Sequence, residues 1–118
     1  MTRASDGAID EIVNLLLKFR KDRDWGQFHS PKNLAISISI EAAELLEHFQ
    51  WAPENEPVSP EKRQEVAKEL ADIFNYIIML AEDLGIDMVE SSREKIKENA
   101  KKYPVEKAKG SAKKYRDL

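Results

Sequence analysis

A serine–proline pair opens each of the two longest proline- and glycine-free stretches of this chain, and that punctuation decides its fold class. Ser30-Pro31 precedes the run from Lys32 to Ala52, and Ser59-Pro60 precedes the run from Glu61 to Leu84. Serine caps the first free N–H groups of a helix, and proline fits the first helical position, where its missing N–H costs nothing. In the second run Val66, Leu70, Ile73, Phe74, Ile77, Leu80, Ala81 and Leu84 recur at helical spacing, and Gly85 stands where a left-handed cap ends a helix. The first run is more ambiguous, because Leu34-Ala35-Ile36-Ser37-Ile38-Ser39-Ile40 alternates like a strand. Its Ser-Pro start and its continuation through Glu41 to Phe49 favour a helix reaching about Gln50. An earlier helix, from about Asp6 to Arg23, is marked by Ile9, Ile12, Val13, Leu16 and Phe19; a fourth begins near Asp87 and ends before Tyr103-Pro104. The Lys-rich segment from Val105 to Leu118 is expected to be irregular or only locally ordered. Four helices and no convincing strand predict an all-α four-helix bundle forming one domain over residues 1–118.

Charge and composition remove whole classes of function. The 118 residues carry 19 Lys and Arg against 22 Asp and Glu, a net charge of −3. Such a surface is a poor general binder of nucleic-acid polymers or anionic membranes, both of which demand surplus positive charge. With no cysteine, thiol nucleophiles, disulfides and thiolate metal sites are excluded. The two histidines, His29 and His48, are too far apart for the paired ligands of an HExxH zinc helix. No apolar run approaches the roughly 20 residues of a membrane span, and the first eight residues lack the apolar core of a signal peptide. These features lead to the expectation of a cytoplasmic protein with neither membrane nor nucleic-acid partner.

The informative residues are acids on the wrong side of their helices. At 100° per residue, Glu41 falls about 20° from Leu34, inside the apolar stripe of Leu34, Ile38, Leu45 and Phe49. Glu44 and His48 border that stripe, whereas Glu47 faces away. On the next helix Glu69 and Asp72 flank the apolar stripe in the same manner. Packed antiparallel, the two helices bring Glu41, Glu44, Glu69 and Asp72 into one cluster. Like charges held together beside an apolar interior need protons or cations to offset them. No basic residue occupies the matching face between Asn33 and Phe49. An all-oxygen cluster suits Mg²⁺, with Mn²⁺ as substitute, and Mg²⁺ keeps positions open for water and phosphate oxygens. A phosphorylated small molecule is therefore the expected partner.

The spacing of Glu41-x-x-Glu44 and Glu69-x-x-Asp72 resembles the signature of the MazG-like all-α nucleotide pyrophosphohydrolases. Three further stretches resemble their dCTP pyrophosphatase branch: Arg23 to Leu34 (RDWGQFHSPKNL), Glu44 to Trp51 (ELLEHFQW), and Lys95 to Pro104 (KIKENAKKYP), the last followed by Lys113-Lys114-Tyr115. The resemblance implies hydrolysis of a nucleoside triphosphate between its α- and β-phosphates, with dCTP or a modified dCTP as the first choice of substrate and sanitation of the nucleotide pool as the role. It implies that Glu41, Glu44, Glu69 and Asp72 hold Mg²⁺, and that Glu41 or Glu44 is the candidate for activating water. It also implies a dimer or dimer of dimers.

By the same resemblance Trp25, His29, Trp51 and Tyr76 contact the nucleotide, as do Lys95, Asn99 and Lys102. Lys95 and Asn99 stand four residues apart on the fourth helix, within reach of one ligand. Lys107, Lys109, Lys113 and Lys114 belong to the tail and are read as mobile; His48 receives no role. Ile36 and Ile40 leave the second helix away from its core stripe, and Ile78 leaves the third on its far side, which points to covering helices from a second subunit. Two other readings are the same chemistry on another nucleoside triphosphate, and a non-catalytic helical interaction module.

Overall fold

A computed structural model describes residues 7–118, which include five α-helices and, among those residues, no strand. The helices are α1 (Gly7–Asp22), α2 (Pro31–Glu47), α3 (Pro60–Asp83), α4 (Met88–Lys102) and a single turn, α5 (Val105–Ala108). Asp6, the expected start of the first helix, lies outside the described residues. None of the described helices is long and apolar enough to cross a membrane. The chain divides into two compact units, the first ending at Gly85 and the second running from Ile86 to Leu118.

Both Ser-Pro signals act as expected. Ser30 accepts from the backbone N–H of Asn33, and Ser59 from that of Lys62, with proline in the first turn each time. The strand-like alternation of residues 34–40 is overruled, and the whole stretch lies in α2. This helix stops at Glu47 rather than near Gln50. Its hydrogen bonds tighten to three-residue spacing at His48→Leu45, Phe49→Leu46 and Gln50→Glu47, and the chain then turns into Pro53. Gly85, at φ 67°, supplies the left-handed residue that ends α3.

Within the first unit α3 is the central element, packing most extensively on α2 and next on α1. Arg20, in the last turn of α1, is tied to Asp83 at the end of α3 by two parallel hydrogen bonds of 2.9 Å each. Leu34 is fully enclosed at the start of α2. The expected stripe of α3 needs correction. Ile78, assigned to the far side, is buried together with Met79 and Ala81, while Leu70, Phe74 and Leu84 are exposed. The cause is the second contact: Val13, Leu16 and Leu17 of α1 meet Ile78, Met79 and Glu82 along a common seam. A helix gripped from two directions buries residues that one averaged stripe misses. Ile36 and Ile40 remain exposed, as expected.

In the second unit Asp87 caps α4 through the N–H of Glu90. The segment after Pro104 is locally ordered by α5 and by a short 3₁₀ turn, Tyr115–Asp117. Tyr115 meets Tyr103 edge-on at 6.1 Å, and Lys102 Nζ lies 5.2 Å from the Tyr115 ring centre.

Replacing the enclosed Leu34 by Ala should cost about 2–5 kcal/mol of stability, measured by chemical denaturation. A loss below about 1 kcal/mol would contradict its complete enclosure.

Candidate active site

The seam between α2 and α3 gathers the acids. Glu41, Glu69 and Asp72 each present a carboxylate oxygen, and these atoms all lie within 4.8 Å of one another. Glu44, one turn from Glu41, adjoins it closely enough to hydrogen-bond its protonated carboxyl. Glu41, Glu44 and Glu69 are half-buried and Asp72 is exposed, so the cluster has a closed floor and an open side. Ionised carboxylates at such separations repel by a few kcal/mol per pair where water is partly excluded.

Two oxygens record that tension. Oε2 of Glu41 and Oε2 of Glu69 are shut away from solvent with no hydrogen-bond partner. With both acids ionised neither atom has a donor, so only a proton or a cation can satisfy them. Loss of solvent is the main cause that pushes the Glu41 carboxyl up, to about 7. Hydrogen bonding to Glu44 and Glu69, and the charges of Glu44 and Asp72, add to it. An oxygen-only donor set with buried, unpartnered atoms and one open side fits a hard divalent cation that keeps positions for water or phosphate. Glu41, Glu69 and Asp72 are the residues able to hold it, with Glu44 beside them.

His48, unassigned from sequence, belongs to this environment. Its Nε2 stands 3.7 Å from Oε1 of Glu69, and both side chains are largely covered. The only signal available beforehand was its angular place on the border of the α2 stripe.

The Trp25–His29 loop is held by its own sequence. Asp24 takes the left-handed region at φ 53°, which acidic and amide residues tolerate best after glycine. The Trp25 N–H donates to the Arg20 carbonyl at 3.0 Å. Gln27 donates to the carbonyl and to the side chain of Asp24, and Asn33 reaches back to the Phe28 carbonyl at 2.9 Å. A chain of edge-on aromatic contacts then runs Phe19–Trp25 (5.6 Å), Trp25–His29 (6.2 Å) and His29–Tyr76 (6.5 Å). It ends on α3, one turn beyond Asp72. Burial, followed by the charge of Arg20, lowers the His29 pKa, and its shielded Nδ1 has no partner.

Trp51 is 88% exposed, on the connection after α2. That connection frames a cleft of about 350 Å³ lined by Phe49, Pro53, Val58, Ser59 and Lys62, among others; neither Trp51 nor Glu41, Glu44, Glu69 or Asp72 lines it. Lys95, Asn99 and Lys102 lie on α4 in the second unit. Both lysines approach Glu98, at 3.4 and 3.2 Å, and lower its pKa, Lys102 most strongly.

The helical architecture and the paired acids define a class, and comparison with known proteins agrees. The MazG-like family model matches residues 36–118. This chain belongs to the MazG-like family. It is 39% identical to dCTP pyrophosphatase 1 of Bos taurus over 98% of this chain and 70% of that one, and 35% identical to dCTP pyrophosphatase 1 of Homo sapiens over 93% and 67%. Among solved structures, a pyrophosphatase from Archaeoglobus fulgidus DSM 4304 matches with a TM-score of 0.70 at 38% identity, covering 82% of this chain and 93% of that one.

The raised pKa of Glu41 has a sign that can be measured. Its neutral form is the one favoured by folding, so the stabilisation is complete below the unfolded value of 4.5 and disappears as pH climbs through about 7. In EDTA, the melting temperature should therefore fall between pH 5 and pH 8. Glu41→Gln, permanently neutral, should flatten that slope. An equal slope in wild type and variant would assign the pH dependence elsewhere.

Proposed function

We propose that this nucleotide pyrophosphatase cleaves dCTP, or a base-modified dCTP, to the monophosphate and pyrophosphate with Mg²⁺ as its cation (Mn²⁺ able to substitute). The observation that carries this reading is the convergence of Glu41, Glu69 and Asp72, with two solvent-shielded oxygens that lack a donor.

The chemistry follows from the charges. Water attacks the α-phosphorus, the bond from that phosphorus to the bridging oxygen breaks, and pyrophosphate leaves. Such a displacement needs the phosphate charge neutralised and the attacking water held in line. When bound, a divalent cation supplies charge neutralisation and Lewis acidity at the phosphate oxygens. Glu41, Glu44, Glu69 and Asp72 would hold it by their carboxylates. Glu41 and Glu44 are the candidates to orient the water and take its proton.

Base selection falls to the aromatic residues. Trp25, His29 and Tyr76 form one connected set within the first unit, and His29, kept neutral by its surroundings, can donate through one ring nitrogen and accept through the other. Trp51 offers an open indole face for stacking. Lys95, Asn99 and Lys102 are proposed to contact the phosphates or sugar. The bovine and human relatives are dCTP pyrophosphatases by name, and this supports the choice of base. The proposed role is sanitation of the nucleotide pool in the cytoplasm, carried out by residues 1–118 as one functional domain. Self-association, as a dimer or tetramer, would cover the exposed Ile36 and Ile40.

A panel of nucleoside triphosphates assayed for pyrophosphate release with Mg²⁺ tests the proposal. dCTP should be turned over best, EDTA should abolish turnover, and Glu41→Ala or Asp72→Ala should lower kcat by at least about 100-fold. Full turnover by both variants would refute the site. Trp51→Ala should remove about 1–3 kcal/mol of base stacking, raising KM roughly 5- to 150-fold with a smaller change in kcat. An unchanged KM would place the base elsewhere.

A further inference from the structure

The two oxygens of Glu69 face different surroundings. Oε1 stands 3.7 Å from Nε2 of His48, whereas Oε2 is shielded and unpartnered, and the carboxylate as a whole offers an oxygen to the cluster with Glu41 and Asp72. His48 itself is fixed by the way α2 ends. It is the C-cap residue, its backbone N–H donates to the Leu45 carbonyl at 3.2 Å, and its side chain approaches Glu69 on α3. Both side chains are mostly covered, at 25% and 19% exposed, so neither sweeps freely through solvent. A carboxylate that ligates a cation through one oxygen is held in orientation when a donor engages the other, and such outer partners govern affinity without touching the ion.

We propose that His48 is a positioning residue: its Nε2–H holds Oε1 of Glu69 and thereby directs Oε2 into the cation site. The inference rests on the reading of the acid cluster as a divalent-cation site. In this role His48 is not itself a ligand. It acts through Glu69 alone, so its removal weakens cation binding while leaving every ligand in the sequence.

The test is Mn²⁺ binding to the metal-free protein, followed by the electron paramagnetic resonance of free Mn²⁺, with no nucleotide present. His48→Leu, which removes the donor at similar volume, should weaken Mn²⁺ binding by about 10-fold or more. His48→Gln, which keeps an N–H donor, should stay within about threefold of wild type. His48→Leu binding Mn²⁺ as tightly as wild type would overturn the proposal. Equal weakening in both variants would also overturn it, because the effect would then not depend on a donor. Failure of wild type to bind Mn²⁺, or unaltered binding by Glu41→Ala, would overturn the cation site itself and this proposal with it. Should His48→Leu not fold, the wild-type protein decides. The ring ¹H–¹⁵N resonances of His48 should move when Mg²⁺ is added, and their failure to move would overturn the assignment.

Discussion

Mutual repulsion among acids held at one helix–helix seam is the constraint on which the rest of this structure depends. Glu41 and Glu44 come from α2, Glu69 and Asp72 from α3, and neither helix can turn its pair away without dragging apolar neighbours into water. The same rotation that buries Leu34 places Glu41 against α3. Packing therefore pins the charges, and two of their shielded oxygens have no hydrogen-bond partner. Among the described residues few apolar side chains are fully enclosed, so little packing energy is spare to tolerate such a cluster without function.

The position of the acids was legible because helical geometry converts spacing into angle. Once Ser30-Pro31 and Ser59-Pro60 fix two helices, residues three apart must share an edge, and the edge can be compared with the apolar stripe. Other features were not legible for equally physical reasons. A stripe averaged along α3 sees one partner, yet α1 and α2 contact this helix from different directions, so Ile78 was sent outward and Leu70 inward, the reverse of their burial. His48 lies where α2 loosens into three-residue hydrogen bonds, and there regular angular bookkeeping stops. The roles of Gln27 and Asn33 depend on side chains reaching backbone carbonyls across a turn, which no hydrophobic pattern encodes.

The aromatic loop and the acid cluster are built on different kinds of backbone. Trp25 and His29 sit on a segment stitched to itself by Gln27 and Asn33, and its contact with α3 is made at Tyr76, one turn past the last acid. The carboxylates are carried by regular helices, which suits a charge cluster that must be held to a fraction of an ångström. Trp25 and His29 are carried by a turn, where substitutions need not disturb the helix seam.

The proposed site requires a divalent cation to offset the repulsion among these oxygens and so to stabilise the folded chain. Thermal unfolding at pH 7.5, with and without millimolar Mg²⁺, measures this most directly when the wild type is compared with a Glu69→Ala/Asp72→Ala double variant. Linkage requires the wild-type midpoint to rise with Mg²⁺, whereas the double variant, relieved of repulsion and deprived of ligands, should not respond to it. A wild-type midpoint indifferent to Mg²⁺, or an equal rise in both proteins, would contradict the account.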